Sequence, residues 1–442
     1  MPNLRRLLPG LALALAAWAA LPAPAAAKDA PAKAEARTVL QVCNPAGVRE
    51  DLTFVDMSLK RVMDEIDRKD PPLAGQFPET DVEKIAVSGD ADTEINDLFR
   101  KRGWTDGLPI IIPTRDRVMA MLKGTHLSRS AEVGVLPPMN GIATVEKIAV
   151  NAVMAGCRPV HMPILIAAVQ AVADPDFDLR GLATTTSPDV PLVIITGPIA
   201  KQIHLNTGSG VMGRGNQGNS SIGRALSLIV NNVGGSWPGI TDMSCLGSPA
   251  EHGMVVVENP DDNPWPSLNV DLGLPADANA VTVMGAEGSR GIVANGWDAK
   301  GVLRLMGQHM RGLAFQRPVW STVLLIIPGD TAYQLSREGY SKDRIREELL
   351  QQNPVPRQEY AAWFAKNYWK PDVEQEMASR QGPGDTYFAP LVRQMLILYA
   401  GGPGMKNMIV PGWFGSKQAI TRQIALPPDW DAVLEENEKS LR

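Results

Sequence analysis

Residues 192–198 read LVIITGP, in which four apolar residues precede a threonine, a glycine and a proline. A short unbroken apolar run suits a strand buried on both faces, and Gly197-Pro198 forms a turn that ends it. Similar apolar runs end in glycine at 284–288, 327–329 and 400–404. The recurrence predicts an α/β fold (or an α+β fold) of mixed sheets with flanking helices and repeated βα units.

The rest of the chain alternates between strand and helix patterns. Apolar runs predict strands at 110–112, 254–257, 281–284 and 320–327, and a buried strand or helix at 391–398. Amphipathic or capped segments predict helices in the second half of 51–68 and at 91–103, 114–123, 144–157, 164–173, 298–311 and 341–351, and one more capped by Ser220 or Ser221.

The first 27 residues read as a cleavable signal peptide. Arg5-Arg6 precedes an apolar stretch from Leu7 to Leu21, and Ala25-Ala26-Ala27 is a cleavage site before Lys28. The stretch is short for a membrane span, so no stable membrane anchor is expected. The paired arginines resemble a twin-arginine signal, but such pairs are common in ordinary signals, which favours the general route. The predicted location is periplasmic or secreted.

About 415 residues remain after the signal, more than one hydrophobic core usually supports, so two domains are expected. Residues 28–50 are interpreted as a linker or N-terminal extension. A first α/β domain, which carries a Gly/Asn-rich loop, is predicted at 51–275, and a second α/β domain at 276–442.

Composition excludes some functions. The net charge of -5 argues against a nucleic-acid surface, which needs clustered Lys and Arg. Three cysteines are too few for a disulfide framework, and whether Cys43 pairs with Cys245 stays open. No CxxC pair supports a structural zinc site. The sequence identifies no cofactor and leaves formation of a homo-oligomer open.

The segment 206–224 is the most unusual stretch of the chain. Its glycines match G-x-G-x-x-G, but a dozen residues separate them from the preceding strand, which disfavours a dinucleotide site. Glycines let backbone amides approach a ligand, and the following helix N-terminus favours an anion. The alternative is a structural loop whose asparagines bind its own backbone. Candidate substrate-binding residues here are Asn206, Gly208, Gly213, Asn216, Asn219, Ser220 and Arg224.

Cys157 is a candidate nucleophile or redox thiol at the end of a predicted helix. Arg158 would lower its pKa, whereas the helix C-terminus would raise it. His161 completes a Cys-x3-His spacing, although Pro159 and Pro163 interrupt a helix there. Core packing and metal ligation are the alternatives for the cysteine.

Further candidates lie in turns and after strands. Trp104 and Asp106 present an aromatic ring and a carboxylate on a tight turn, and Thr185 and Thr186 could hold an anion or only cap a turn. Glu287 follows a predicted strand, where sites of open α/β sheets gather. Glu258 shares that placement, and Asp242 lies in a similar loop.

Several segments together resemble a bacterial family linked with UGSC-type thiol or selenol domains. They are 102–109, 144–157, 213–225, 285–288 and 400–404, and the resemblance spans roughly 95–425. It implies thiol chemistry at Cys157. The Gly-Ser-Cys triplet is absent, and the nearest match is Ser244-Cys245.

The leading hypothesis is therefore an exported enzyme acting on a small polar or anionic molecule. Cys157 would be the thiolate for bond cleavage, group transfer or thiol redox chemistry, and Asp106 or Glu287 would serve as acid or base. One alternative is a periplasmic protein that binds a small anion without chemistry. Another is a metal-dependent enzyme with ligands among Glu287, Glu258, His161 and Asp242.

Overall fold

The computed structural model describes residues 38–46, 82–87, 89–316, 321–351, 354–356, 386–388, 392–413, 415 and 418–441. The predicted signal peptide and the helix expected in the second half of 51–68 lie outside these residues. The described part contains twelve α-helices and mixed sheets, which confirms the α/β prediction. None of its helices combines the length and apolar character that crossing a membrane requires.

The strands are β1 (Thr38–Cys43), β2 (Val82–Val87), β3 (Glu132–Leu136), β4 (Gly141–Thr144), β5 (Val190–Thr196), β6 (Met254–Val257), β7 (Ala280–Ala286), β8 (Arg290–Val293), β9 (Ser321–Ile327), β10 (Pro354–Pro356), β11 (Thr386–Phe388), β12 (Val392–Tyr399), β13 (Lys406–Pro411) and β14 (Ile420–Gln423). The helices are α1 (Ala91–Lys101), α2 (Arg115–Leu122), α3 (Val145–Ala155), α4 (Met162–Val172), α5 (Leu179–Ala183), α6 (Ile199–Gln202), α7 (Gln217–Asn232), α8 (Leu268–Asp271), α9 (Ala299–Gln316), α10 (Gly329–Arg337), α11 (Lys342–Gln351) and α12 (Trp430–Leu441). Two 3₁₀ turns, Pro159–His161 and Pro249–His252, precede α4 and β6.

Two four-stranded sheets share one pattern of strand pairing. The first has the order β6-β5-β7-β14, and the second has the order β12-β9-β13-β8. In each, one parallel pair is followed by two antiparallel pairs. The last strand of each sheet is exchanged, because β8 follows β7 in the chain but joins the second sheet, whereas β14 follows β13 but joins the first. Each sheet thus receives its last strand from the part of the chain that follows a strand of the other sheet.

The sheets meet where β7 and β13 end. Ala286 and Gly412 form an antiparallel bridge, the Trp413 amide donates to the Gly285 carbonyl at 2.9 Å, and the Glu287 amide donates to the Pro411 carbonyl at 3.1 Å. Strands β7 and β14 both lie beyond residue 275. The predicted division at 275/276 is therefore not a division between the two sheets.

The first sheet packs against a layer of buried helices. In α4 every residue except Gln170 is buried, as expected for a helix that is apolar all round. The Thr144 hydroxyl caps α3 by accepting the Lys147 amide at 3.2 Å, and Gly156 ends α3 with φ of 85°. Each fully buried aliphatic side chain in this layer stabilises the fold by about 1.5–3 kcal/mol.

The second sheet has its own apolar core, formed with α9, α10 and α11. Ile327 and Ile397 from the sheet contact the same cluster as Met310, Leu335 and Ile345 from the helices. The site described below lies in the first half, between the first sheet, α7 and the turns that precede β5 and β6.

Two local predictions are wrong, and one further segment contains a strand that was not predicted. Residues 110–112 form no strand; Ile110 and Ile112 are buried, and the Ile111 amide donates to the Met154 carbonyl instead. Asn216, rather than Ser220 or Ser221, caps α7, because its side chain accepts the Asn219 amide at 3.0 Å. In the segment interpreted as a linker, residues 38–43 form a strand that pairs with 82–87.

Candidate functional site

A pocket of about 420 Å³ opens at the amino ends of β5 and β6. We name it the amino-end pocket. It is lined by Arg100, Gly103, Thr105, Asp106, Gly107, Leu182, Ala183, Asp189, Val190, Pro191, Ser227, Val230, Asn231, Ser236, Trp237, Pro238, Asp242, Glu251 and His252. Its volume suits a small molecule, and its wall is mostly apolar with a few polar groups. The location differs from the expectation, because sites of open α/β sheets usually lie at the carboxyl ends of strands.

Asp106 is fixed in the pocket wall by a two-pronged ion pair. Arg224 donates from Nε to Asp106 Oδ2 at 2.7 Å and from Nη2 to Oδ1 at 2.8 Å. Arg224 also donates to the Pro109 carbonyl at 2.9 Å, so the 106–109 turn is anchored to α7. Burial opposes ionisation of Asp106, but the guanidinium outweighs it and holds the pKa of Asp106 below its usual value. Asp106 is therefore a carboxylate at neutral pH.

His252 stands beside this ion pair. Its Nδ1 lies 3.7 Å from Asp106 Oδ2, too far for a direct hydrogen bond but within ion-pair distance when the imidazole is protonated. About half of the side chain is exposed. Gly253 makes this placement possible, since a Cβ on it would lie 2.4 Å from the Arg224 amide nitrogen and its φ is 128°. Glycine thus lets the turn before β6 approach α7 closely.

Two further carboxyls, Asp242 and Glu251, line the same pocket. Burial raises the pKa of both, and the charge of Asp242 raises the pKa of Glu251 further. The Ser244 amide donates to Asp242 Oδ1 at 3.0 Å, and the Ser248 amide donates to Glu251 Oε1 at 3.1 Å. These hydrogen bonds hold two mutually repelling acids in fixed positions.

The Gly/Asn-rich loop contributes no lining residue to the pocket between 206 and 220. Asn206 Oδ1 accepts the Gly208 amide, Asn216 Nδ2 donates to the His204 carbonyl, and Asn219 Nδ2 donates to the carbonyls of Asn206 and Val211. Gly213 lies in an exposed turn, and Ser220 is exposed on α7. The asparagine side chains therefore bind the backbone of the loop itself. This is the arrangement expected if the loop is structural and does not contact a ligand.

Cys157 lies outside the amino-end pocket, just after Gly156 ends α3. Part of the residue reaches the surface, but burial of the thiol raises its pKa, which favours the neutral form. His161 is buried, and burial lowers its pKa to about 4. Its Nδ1 accepts the Arg158 amide at 3.1 Å. Nothing in this arrangement activates a thiolate.

The other predicted site residues lie outside the amino-end pocket and make local contacts. Trp104 packs edge-on against Phe99 with ring centroids 5.1 Å apart. The Thr185 hydroxyl accepts the Ser187 amide, and the Thr186 carbonyl accepts the Cys245 amide. The Glu287 backbone joins the two sheets, as described above. No disulfide forms among the described cysteines, since Cys43 is buried and Cys245 is exposed.

Glu258 lies at the opposite end of β6 in a group that we name the carboxyl-end cluster: Glu258, Asp271, Lys342 and Arg346. Lys342 Nζ lies 3.2 Å and Arg346 Nη2 lies 2.7 Å from Asp271 Oδ2. Glu258 Oε1 accepts the Leu268 amide at 2.9 Å, and burial raises the pKa of Glu258 to about 7. Within the described ranges, no three His, Cys, Asp or Glu residues are placed to hold a metal ion.

Sequence reasoning found Asp106 and Arg224 but did not connect them, and it gave His252 and Glu251 no role. A usable signal was Ser248-Pro-Ala-Glu251, a capping box that fixes Glu251, followed at once by His252. The sequence did not indicate that Trp237 lines a pocket, because a single tryptophan is most simply interpreted as a residue of the hydrophobic core.

Models of known protein families gave no match to the sequence, and a comparison with curated proteins also gave none. The resemblance to the UGSC-linked family stays a prediction. Function is therefore inferred from the pocket and the side chains that line it.

Proposed function

We propose that this protein is an exported enzyme that transfers a proton on a small polar molecule bound in the amino-end pocket. His252 is the general base or acid, and Asp106, fixed by Arg224, places a carboxylate beside its Nδ1. The observation that carries the proposal is the 3.7 Å approach of His252 Nδ1 to Asp106 Oδ2 at the pocket wall. Histidine is the side chain that most often serves as a general acid or base, and a neighbouring carboxylate is a recurring partner for it.

The pocket supports this role better than the thiol does. Asp106 stays ionised beside the imidazole, whereas burial disfavours the Cys157 thiolate and Cys157 lies outside the pocket. Glu287, the other predicted acid or base, is also absent from the lining. Among the candidates from the sequence, Asp106, which Arg224 binds, and Asp242 line the cavity.

The test compares binding with turnover. A library of small polar metabolites is screened by thermal shift against wild type and H252Q, and each ligand found is then incubated with the protein and followed by proton NMR. We expect at least one ligand to stabilise both proteins but to be converted only by wild type. D106N should lower turnover by about 10²- to 10⁴-fold, the usual contribution of acid–base catalysis.

His126 offers a matched control, because it is exposed and lies outside the pocket. H126Q should bind and convert like wild type. Equal turnover by H252Q and wild type would refute the role of His252. Ligands that bind but are never converted would instead favour the second reading, a binding protein without chemistry.

Export is part of the proposal and rests on the Arg5-Arg6, Leu7–Leu21 and Ala25–Ala27 pattern. The full chain, expressed in a bacterium with two membranes, should appear in the periplasmic fraction with Lys28 as its first residue by intact mass. Uncleaved protein confined to the cytoplasm would contradict it.

A further inference from the structure

We propose that the ligand of the amino-end pocket carries a positively charged nitrogen, an ammonium or guanidinium group, which binds between Asp242 and Glu251. This inference rests on the proposed function, because it concerns the same pocket, and it names the class of molecule that the pocket takes. It replaces the anionic ligand expected from the glycine-rich loop.

The charges around the pocket are unevenly matched. Arg224 neutralises Asp106 through two hydrogen bonds. Arg100, on the rim, is 57% exposed and is held by Asp97 at 2.6 Å. In the part of the chain that the structure describes, no Lys or Arg forms an ion pair with Asp242 or Glu251.

The two acids are also positioned before any ligand binds. The described hydrogen bonds use one oxygen of each carboxyl, Asp242 Oδ1 and Glu251 Oε1. Among the described residues, the second oxygen of each has no hydrogen-bond donor. A carboxylate can accept several hydrogen bonds, and an ammonium group has three donors to share between two of them. Placing a cation there would relieve the repulsion that raises the pKa of Glu251.

The other residues that line the pocket indicate the chemistry of the rest of the ligand. Leu182, Val190, Val230, Trp237 and Pro238 give the pocket an apolar interior around the two acids. An anion would meet two carboxyls without a counter-ion, and a wholly apolar molecule would leave them unpartnered. A small amine with a compact apolar body would pair its charge with the two carboxyls and bury its apolar part against the apolar wall.

The test uses probes of one size and different charge: benzylamine, benzyl alcohol and benzoate. Their binding is measured by ligand-observed NMR titration at pH 7.5 with the full mature chain. We expect benzylamine to bind and the other two to bind at least tenfold more weakly. D242N or E251Q should weaken benzylamine binding by roughly 10- to 100-fold, the usual effect of losing a hydrogen bond to a charged group.

Both substitutions keep the oxygen that accepts from Ser244 or Ser248, so the turn should stay folded, which a thermal unfolding curve checks. D277N is the matched control, because Asp277 is exposed and outside the pocket. The inference is overturned if benzylamine does not bind, if benzoate or benzyl alcohol binds as well, or if D242N and E251Q leave benzylamine binding unchanged.

These outcomes are separate from those of the proposed function. Loss of benzylamine binding in D242N, with no molecule ever converted, would support the cation site and refute the enzyme. Conversion of a neutral or anionic molecule by wild type but not by H252Q would support the enzyme and refute the cation site.

Discussion

Each end of β6 lies beside a group of charged side chains, and the two groups differ in whether their charges are paired. At the carboxyl-end cluster, Asp271 binds Lys342 and Arg346, and Glu258 and Lys342 are buried. At the amino-end pocket, Asp242 and Glu251 face a cavity with no Lys or Arg bound to them among the described residues. Charges that satisfy one another serve the fold, whereas charges that face open space are available to a ligand.

The largest expected effect is at the carboxyl-end cluster. K342M keeps a long unbranched side chain but removes the charge that faces Asp271 and Glu258. Removing one partner from a buried group of charges costs about 3–5 kcal/mol in the free energy of unfolding. Urea unfolding at pH 7.5 measures it, with K300A as the control, because Lys300 is exposed. A loss as small as that of K300A would mean that the cluster is not structural.

The next effect is a pH dependence of stability that Glu258 imposes. Its pKa of about 7 in the folded protein lies above the ordinary value of 4.5, so the folded state binds the proton more tightly. The stabilisation is complete below pH 4.5 and is lost as pH rises through 7, by about 3 kcal/mol. E258Q keeps an oxygen that accepts from Leu268 and should remove this slope.

Unfolding free energies at pH 5 and pH 8 measure the slope for both proteins. Wild type should lose stability over this interval relative to E258Q. Parallel curves for the two proteins would show that Glu258 does not titrate there, and the pairing with Lys342 would then dominate over burial.

At the amino-end pocket we expect a smaller change in the free energy of unfolding, and we expect it to be stabilising, unlike the effect of K342M. D242N removes one of two repelling acids while retaining the oxygen that accepts the Ser244 amide. We expect the variant to be more stable than wild type by about 1 kcal/mol at pH 8, because burial and repulsion both oppose ionisation there. Urea unfolding decides the sign. If D242N were less stable than wild type, Asp242 would stabilise the fold as the carboxyl-end cluster does. The contrast between the two regions would then be lost.

The smallest effect concerns the cysteines. Iodoacetamide should modify Cys245 in the folded protein within minutes, because that residue is exposed, while Cys157 and Cys43 should react only after denaturation. Peptide mapping by mass spectrometry locates the label, and C245S should remove the fast reaction. Rapid labelling of Cys157 would restore the thiolate mechanism that the sequence suggested.

Most secondary structure could be predicted because it depends on neighbouring residues. The apolar run before Gly197 forms β5, and Thr144 caps a helix that Gly156 ends, as their local chemistry requires. Ile110–Ile112 show the limit of such reasoning. Their apolar character correctly predicted burial at two of the three positions, but a strand also needs a partner, which no local pattern supplies.

The candidate site was only partly predictable, for the same reason. Asp106 and Arg224 were singled out separately, yet they are 118 residues apart and meet only because α7 packs beside the 106–109 turn. Asn206 and Asn219 looked like ligand contacts, but their amides bind the loop itself, since a buried backbone carbonyl needs a donor.

The sequence by itself determined the α/β class, the positions of most helices and strands, and the pattern that predicts export. These follow from short-range rules: apolar periodicity, caps and turns. Only the tertiary structure decided that β8 and β14 exchange sheets, that burial of the Cys157 thiol favours its neutral form, and that the pocket lies at the amino ends of β5 and β6. The physical reason is that burial and electrostatic pairing depend on distances between residues far apart in the chain.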